Sequence, residues 1–305
     1  MRDTFVATLL EVAKKDKNII LMTGDLGYGV LDTFERELPD QFINSGVNEQ
    51  AMMGMAAGYA STGKRVFVYS IGNFPTLRCL EQIRNDVCLM NNPVVIVSVG
   101  AGYAYGSQGY THHALEDIAV LRALPNMEVI VPADPAETAE LTTIIIASKK
   151  PTYLRLGKSG EPTIHTTRPK PTHGKINEIT PGTSGTLIFA GSVGTVAVAA
   201  ANALAAQGIS VAVASMPYIS TIDIDYLEKA LRIGPVIVIE EHSYRGGVGA
   251  AVLEATNAAN LHGAIGLIAA DQNNLSQIGD QSFLRTANGI NVDNIIAKFN
   301  ALKVM

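Results

Sequence analysis

The sequence has few cysteines, which limits how the fold can be stabilised. Among its 305 residues only Cys79 and Cys88 are cysteines, and both lie in one apolar stretch with a helical pattern. Two such thiols are too few for a disulfide framework, and their surroundings do not resemble a metal site. We therefore expect both to be small core residues in a chain long enough to need no covalent staples.

Strong charge and long apolar runs are also absent. Charged residues make up 17% of the chain, and the net charge is -5. The sequence contains no run of Lys and Arg that could bind the phosphates along a nucleic-acid backbone. Apolar runs such as VVIVSVG (94–100) are too short to span a bilayer, and residues 1–16 lack the apolar core of a signal peptide. We expect a cytoplasmic protein that binds neither nucleic acid nor membrane.

The sequence does contain a regular alternation of short apolar runs and longer helical patterns. Most of the runs are apolar throughout, which is typical of parallel strands covered by helices on both faces. Clear examples are residues 19–24, 65–70, 94–100, 186–191 and 236–241. This alternation predicts an α/β fold of two doubly wound domains, each with a mostly parallel sheet flanked by helices.

The alternation is interrupted at residues 157–184, which are rich in Pro, Gly and Thr and contain no long apolar run. Such composition is typical of a connection between domains. We predict a first domain over residues 1–160, a linker over 161–184 with room for a small strand pair of its own, and a second domain over 185–305.

The most informative segment is SGVNEQAMMGMAAGYASTGKRVFVYS, residues 45–70. Asn48 is suited to begin a helix, and Glu49 follows in the first turn, where a carboxylate is usually only a partner of the helix dipole. The Gly and Ala residues that follow would allow another chain to approach this helix closely. A catalytic role for Glu49 therefore needs support beyond its position.

That support comes from GVNEQAM, which resembles the glutamate motif of the transketolase family of thiamine-diphosphate enzymes. The resemblance extends from Arg2 to about residue 300 and covers the family's pyrimidine-binding and C-terminal domains. It implies that Glu49 is catalytic, with its carboxyl hydrogen-bonded to N1′ of the cofactor's aminopyrimidine ring. A carboxyl that shares a proton at neutral pH needs a desolvated setting, which the apolar helix offers.

One part of the family's pattern does not occur in this chain. The metal–diphosphate signature, Gly-Asp-Gly followed downstream by an Asn pair, is missing. The resemblance therefore implies that this chain supplies no metal ligand. It also implies that the cofactors are thiamine diphosphate and Mg²⁺ or Ca²⁺, and that a separate N-terminal-type transketolase subunit binds most of them. It also implies self-association, with an α2β2 tetramer as the expected assembly.

Two further stretches resemble the family around the cofactor. Asp25 in GDLG (24–27) follows a predicted strand, at the end where α/β sheets bind ligands, and resembles the family's acidic residue near the cofactor. Residues 69–87 resemble the segment whose aromatic ring stacks on the pyrimidine. Ser-Ile-Gly stands at 70–72 where many relatives have Ser-Thr-Phe, so the candidates for the stacking ring are Phe74 and Tyr69.

The glycine-rich loop GAGYAYGSQGYTHHALED, residues 100–117, resembles the substrate loop of the family. Its Thr-His pair implies that His112 contacts the hydroxyls of the donor sugar and could move protons. Gln108 stands where sugar-phosphate transketolases usually have Asp, and Gly100 stands where many have His. Because the residues at both positions recognise sugar hydroxyls in the family, we expect the preferred substrate to be a sugar other than the usual pentose phosphate.

Three cations fall where the family grips phosphate, namely Arg2, Arg155 and Lys158. Lys158 replaces an Arg of the family, so a guanidinium that can donate two parallel hydrogen bonds is replaced by an ammonium group that acts as a single point charge. Their placement implies an anionic substrate such as a sugar phosphate or a sulfonate.

These features predict an enzyme that moves a two-carbon ketol unit from an anionic ketose to an aldose. A deoxyxylulose-phosphate-synthase-like transfer is a variant of this chemistry. Two other readings stay open, the β chain of a 2-oxo-acid decarboxylating complex and a non-catalytic module of the same fold. The Thr-His-His loop and Lys158 favour sugar chemistry over 2-oxo-acid decarboxylation. The presence of Glu49 and His112 argues against a non-catalytic module.

Overall fold

The computed structural model describes residues 1–271 and 275–303, which form two sheets with helices on both faces. The first sheet consists of β1 (Ile19–Thr23), β2 (Phe42–Asn44), β3 (Arg65–Ile71), β4 (Val94–Val99), β5 (Glu128–Ile130) and β6 (Thr152–Leu156). These strands are parallel throughout, in the order β2-β1-β3-β4-β6-β5.

The second sheet is smaller and has one antiparallel edge. Its strands are β7 (Asn177–Thr180), β8 (Thr186–Ala190), β9 (Ala212–Ser215), β10 (Val236–Ser243) and β11 (Ile265–Ala270). Their order is β11-β10-β8-β9-β7, and β7 alone runs antiparallel to its neighbour β9. The predicted α/β architecture of two doubly wound domains is confirmed.

The helices connect the strands and cover both sheets. Those of the first domain are α1 (Arg2–Ala13), α2 (Asp32–Glu37), α3 (Glu49–Ser61), α4 (Leu80–Gln82), α5 (Asp117–Arg122) and α6 (Pro135–Ala147), with α4 continuing as a π-helical segment, Ile83–Leu89. Those of the second are α7 (Gly194–Ala205), α8 (Ile224–Ile233), α9 (Val248–Ala258), α10 (Gln281–Ala287) and α11 (Val292–Lys303). In the described ranges no helix is long and apolar enough to cross a membrane.

The two faces of β3 contact different helices, because successive side chains of a strand point to opposite sides. Val66 and Val68 lie in one hydrophobic core with Met52 and Met53 of α3. Phe67 and Tyr69 lie in the other core, with residues of α1. Glu49, at the start of α3, and Tyr69 therefore belong to opposite faces of the first sheet.

The segment 161–184 differs from the prediction in one respect. It forms no strand pair of its own, although all of its residues are described. Instead β7 adds an edge strand to the second sheet, with Glu178 opposite Ala214. The segment supplies buried Ile176 and half-buried Ile179 to the cores, which explains why it docks there. The proposed domain limits of 160 and 185 stay a prediction.

Both cysteines are free and fully buried. Burial raises the pKa of the Cys79 thiol and of the Cys88 thiol to about 12. Since the thiolate is the reactive form, both side chains are chemically inert in the folded chain and act as small apolar residues.

Candidate functional site

Most of the predicted site residues lie at one edge of the first sheet. Strands β1, β3, β4 and β6 are parallel neighbours, so their carboxyl ends and the loops that follow them meet at this edge. Open α/β sheets commonly bind ligands there. The loops bring Asp25, Phe74, Gln108, His112 and Lys158 to this edge.

Glu49 lies in the first turn of α3, where the Asn48 side chain accepts a hydrogen bond from the Ala51 N–H at 3.1 Å. This cap fixes the start of the helix. Glu49 is only 7% exposed, and its Oε1 accepts a hydrogen bond from an Arg78 guanidinium N–H at 2.8 Å. Glu49 is therefore a nearly buried carboxylate that is paired with the guanidinium of Arg78.

Arg78 also stacks on Phe74. Its guanidinium carbon lies 3.9 Å from the centre of the Phe74 ring, a distance typical of a strong cation–π contact. The Arg78 side chain is 48% exposed and lies on the short turn Leu77–Cys79. The Phe74 ring also meets the His112 imidazole in an edge-on arrangement, with the ring centres 5.3 Å apart.

An open cavity of about 660 Å³ lies in front of this cluster. Its walls are formed by Asn73, Phe74, Leu77, Arg78, Tyr110, Thr111, His112 and Glu116. Asn73 donates to the His113 carbonyl, while its own buried Oδ1 has no hydrogen-bond partner among the described residues. A cavity with an aromatic wall and a cation at its rim suits a flat ligand with polar edges.

His112 belongs to the wall of this cavity. Its Nδ1 lies 3.0 Å from the Thr111 hydroxyl, which sets the orientation of the imidazole. Burial, followed by the charges of Arg78 and His113, lowers the pKa of His112 below its ordinary value. The ring is therefore neutral at pH 7, so it can accept a proton from a hydroxyl group of a ligand.

Tyr69, the second candidate for the stacking ring, lies elsewhere. It is 3% exposed and packs on the α1 side of the sheet, away from the face that α3 covers. Of the two candidates, only Phe74 lines the cavity. We therefore keep Phe74 as the proposed stacking residue and regard Tyr69 as part of the core.

Asp25 is exposed at the same edge, next to the β1–β2 pair. Its backbone is left-handed (φ 56°), and its N–H donates to the Asn44 side chain at 2.9 Å. Its carboxylate accepts the Tyr28 hydroxyl at 2.6 Å. These bonds shape a turn, and the residue is not among those that line the cavity; its role near the cofactor stays a prediction.

Two of the three predicted anion-binding residues are neighbours in space. The Arg2 backbone N–H donates to the Lys158 backbone carbonyl at 3.0 Å, while the Arg2 guanidinium donates to Asp3 at 2.8 Å. The Lys158 ammonium lies 5.1 Å from the centre of the Tyr105 ring. That ring fills the space beside Gly100, where an added Cβ would come within 2.3 Å of it. The glycine-rich loop 100–117 thus places an aromatic ring where a side chain at position 100 would lie. Gln108 is exposed farther along the same loop.

The structure does not place Arg155 with these two cations. Arg155 is 2% exposed, its Nε donates to Asp117 at 2.6 Å, and an Nη donates to the carbonyls of Ala114 and Glu241 at 2.7 and 3.0 Å. Because the guanidinium faces the interior, we do not retain it as a substrate-binding residue. The reason is positional: Arg155 lies inside β6, whereas Lys158 lies beyond its end.

Glu241 of the second domain holds the glycine-rich loop 100–117. Its carboxylate accepts the Tyr103 N–H at 2.6 Å and the Arg285 and Gln281 side chains at 2.6 and 2.9 Å. Its backbone carbonyl accepts Arg155. The loop that presents His112 is therefore fixed to both domains.

We expect Arg155→Met to destabilise the protein by about 3–5 kcal/mol, because the buried Asp117 carboxylate loses its cation. Although burial opposes it, Arg155 and then His242 hold the pKa of Asp117 below its ordinary value. The pair therefore stabilises the fold at neutral pH, and this contribution is lost as the pH falls through the lowered pKa. Urea unfolding at pH 7 measures the effect.

Arg168→Met is the matched control, since Arg168 pairs with Glu140 but its side chain is 81% exposed. An exposed pair contributes about 0–1 kcal/mol. Equal losses in the two variants would contradict the structural role of the buried pair.

Sequence reasoning missed Arg78 and Asn73. No spacing or composition signal separates Arg78 from Arg84, which is exposed and donates a hydrogen bond to its neighbour Asn85. The difference arises from the turn Leu77–Cys79, which directs Arg78 towards the start of α3. Such a turn cannot be read from a single sequence.

Two family models match this chain. The model described as "Transketolase, pyrimidine binding domain" matches residues 1–162, and that described as "Transketolase, C-terminal domain" matches residues 174–290. The two matches together cover both sheets.

Curated relatives agree with these models. The chain is 39% identical over 256 residues to one subunit of the apulose-4-phosphate transketolase of Phocaeicola vulgatus, covering 83% of this chain and 82% of that one. It is 32% identical over 256 residues to a subunit of the 6-deoxy-6-sulfo-D-fructose transketolase of Clostridium sp. (strain MSTE9), covering 83% and 80%. A 1-deoxy-D-xylulose-5-phosphate synthase of Desulfotalea psychrophila is 32% identical, but the chain spans only 46% of it.

A solved structure is similar over nearly the whole chain. It is titled "Split gene transketolase, inactive beta4 tetramer", with a TM-score of 0.88 and 30% sequence identity, and the match covers 99% of this chain and 97% of that chain. The likeness includes both sheets and their connection.

Proposed function

This chain belongs to the transketolase family, and on that premise we propose that it is the second subunit of a split transketolase that moves a two-carbon ketol unit from an anionic ketose to an aldose. The observation that supports the proposal best is one cluster of side chains at the cavity. Phe74 and His112 line its wall, and Arg78, also on the wall, joins the Phe74 ring to the buried Glu49 carboxylate behind it. The two relatives named above whose length this chain largely covers are subunits of transketolases, which favours ketol transfer over 2-oxo-acid decarboxylation.

The family depends on thiamine diphosphate, and the residues of the cavity fit its aminopyrimidine ring. When bound, this cofactor supplies the carbon nucleophile that adds to the ketose carbonyl. The fit rests on the guanidinium of Arg78, a flat group with N–H donors, which already lies between the Phe74 ring and the Glu49 carboxylate. An aminopyrimidine offers the same two properties, a flat face and a nitrogen edge.

Each residue then has a distinct task. Glu49 would share a proton with N1′ of the pyrimidine ring, and Phe74 would stack on the face of that ring. His112, held neutral by its lowered pKa, would accept a proton from a substrate hydroxyl and return it later. Arg2 and Lys158 would bind the terminal anion of the sugar beside Tyr105.

The diphosphate and its metal need a second subunit. Among the described residues no group of three or more His, Cys, Asp or Glu side chains could bind a metal ion. We assign Mg²⁺ or Ca²⁺ and the diphosphate to an N-terminal-type subunit and propose an α2β2 assembly. Helix α3 offers a surface for this contact: Met55 and Tyr59 are exposed, and nothing lies within 4 Å of an added Cβ at Gly54 or Gly58.

The substrate half of the proposal is tested by a panel of ketose donors and aldose acceptors, with and without a terminal anion. The panel is run on the assembled pair with thiamine diphosphate and magnesium. We expect anionic sugars to react best, with a donor other than xylulose 5-phosphate preferred, because Gln108 and Gly100 with Tyr105 change the groups that face the hydroxyls. A clear optimum with xylulose and ribose 5-phosphates would contradict the altered specificity.

Lys158→Ala tests the anion site directly. We expect KM for an anionic donor to rise roughly tenfold, since a charge-assisted bond is lost, with little change for a neutral donor. Lys170→Ala is the control because Lys170 is also exposed but lies in the connecting segment. An equal rise for neutral and anionic donors would contradict the charge role of Lys158.

A further inference from the structure

The place between Glu49 and Phe74 is already filled by a side chain of this protein. One face of the Arg78 guanidinium lies on the Phe74 ring, 3.9 Å from its centre. One edge of the same group donates to Glu49 Oε1 at 2.8 Å. Stacking on a ring and bonding to a carboxylate are the two contacts that the proposed function gives to the aminopyrimidine.

The guanidinium and the aminopyrimidine have the same recognition chemistry. Both are flat and delocalised, and both can join a carboxyl group through a nitrogen atom in the plane of the group: the guanidinium donates an N–H, and N1′ of the aminopyrimidine shares a proton with the carboxyl. Two such groups cannot lie on the same ring face and bond to the same carboxylate oxygen at once. We therefore propose that Arg78 occupies the pyrimidine subsite of the cofactor-free enzyme and leaves it when thiamine diphosphate enters; this inference rests on the proposed function.

The position of Arg78 allows such a displacement. Its side chain is half exposed and lies on a short turn at the rim of the cavity, so water can hydrate the guanidinium after it moves. Leu77, beside it on the same turn, is also exposed. The movement therefore requires rotation of a long side chain and no opening of the core.

The two contacts of Arg78 therefore define its role. Because it occupies the Phe74 ring and the Glu49 carboxylate that the aminopyrimidine needs, Arg78 is a competitor of the cofactor and not one of its ligands.

The test compares the affinity of the assembled, cofactor-free pair for thiamine diphosphate, measured by isothermal titration calorimetry with magnesium present. We expect Arg78→Ala to bind the cofactor roughly tenfold more tightly than the wild type, because an ion pair and a cation–π contact no longer compete. Arg78→Lys keeps the charge but has no flat face, so its affinity for the cofactor should lie between those of Arg78→Ala and the wild type. Arg84→Ala, an exposed arginine of the following segment, should bind like the wild type.

Equal affinity of Arg78→Ala and wild type would overturn the inference, since no competition would then exist. Weaker binding by Arg78→Ala would also overturn it, because Arg78 would then be a cofactor ligand. Both results would leave the proposed function standing, as the wild-type pair would still bind the cofactor. Failure of the wild type and of all variants to bind would instead refute the proposed function and the inference with it.

Discussion

Glu49→Gln is expected to lower the rate of ketol transfer by the assembled enzyme by about 10²–10⁴, the usual contribution of a positioned acid or base. Glutamine keeps the shape of the side chain and an oxygen that can accept the Arg78 hydrogen bond. It cannot share an ionisable proton with a ring nitrogen. Steady-state and single-turnover assays with the preferred donor measure the loss.

The fold and the assembly should not change, which separates a chemical effect from a structural one. Glu49 lies at a helix start, and glutamine is compatible with that position. Glu11→Gln, on the exposed side of α1, is the matched control and should react at the wild-type rate. If Glu49→Gln were nearly as active as the wild type, Glu49 would be an ordinary helix-start residue and its catalytic assignment would fail.

The isolated chain is expected to show no ketol transfer and to bind thiamine diphosphate weakly or not at all. The pyrimidine subsite supplies one carboxylate and one ring, whereas no cluster of metal ligands exists in the described parts of the chain. Without the metal and the diphosphate contacts, most of the binding energy for the cofactor is missing.

Assay of the purified chain with magnesium and cofactor, before and after addition of the N-terminal-type subunit, measures this dependence. We expect turnover to appear only with the partner, and light scattering of the mixture to give the mass of an α2β2 tetramer. Full turnover by the isolated chain would refute the split-enzyme assignment. A stable 1:1 heterodimer with full activity would refute the tetramer alone.

The fold could be predicted because its signals are local. Runs such as 94–100 are apolar throughout, and β4 is buried along its whole length. The edge strand β7 was missed since only alternate residues of Asn177–Thr180 are partly buried. A half-buried edge strand of four residues has no apolar run that a sequence could show.

The site could be predicted only in part, because side-chain direction depends on the surrounding structure. The sequence named both Phe74 and Tyr69, and the alternation of β3 separates them, since Tyr69 follows Phe67 onto the α1 side. Arg155 and Lys158 are three positions apart, yet one is inside a strand and the other beyond it. Neither distinction appears in residue type or spacing.

The hydrogen bonds of Glu241 mean that neither domain of this chain can be exchanged with that of a relative without affecting the other domain. Because its carboxylate accepts the Tyr103 N–H and its backbone carbonyl accepts Arg155, the second domain determines how the loop with His112 lies over the cavity. A chimera that keeps the first domain and receives the second from a relative would therefore change the hydrogen bonds that hold loop 100–117 without altering any residue of the first domain. We therefore expect the proposed substrate preference to depend on the domain boundary as well as on the cavity.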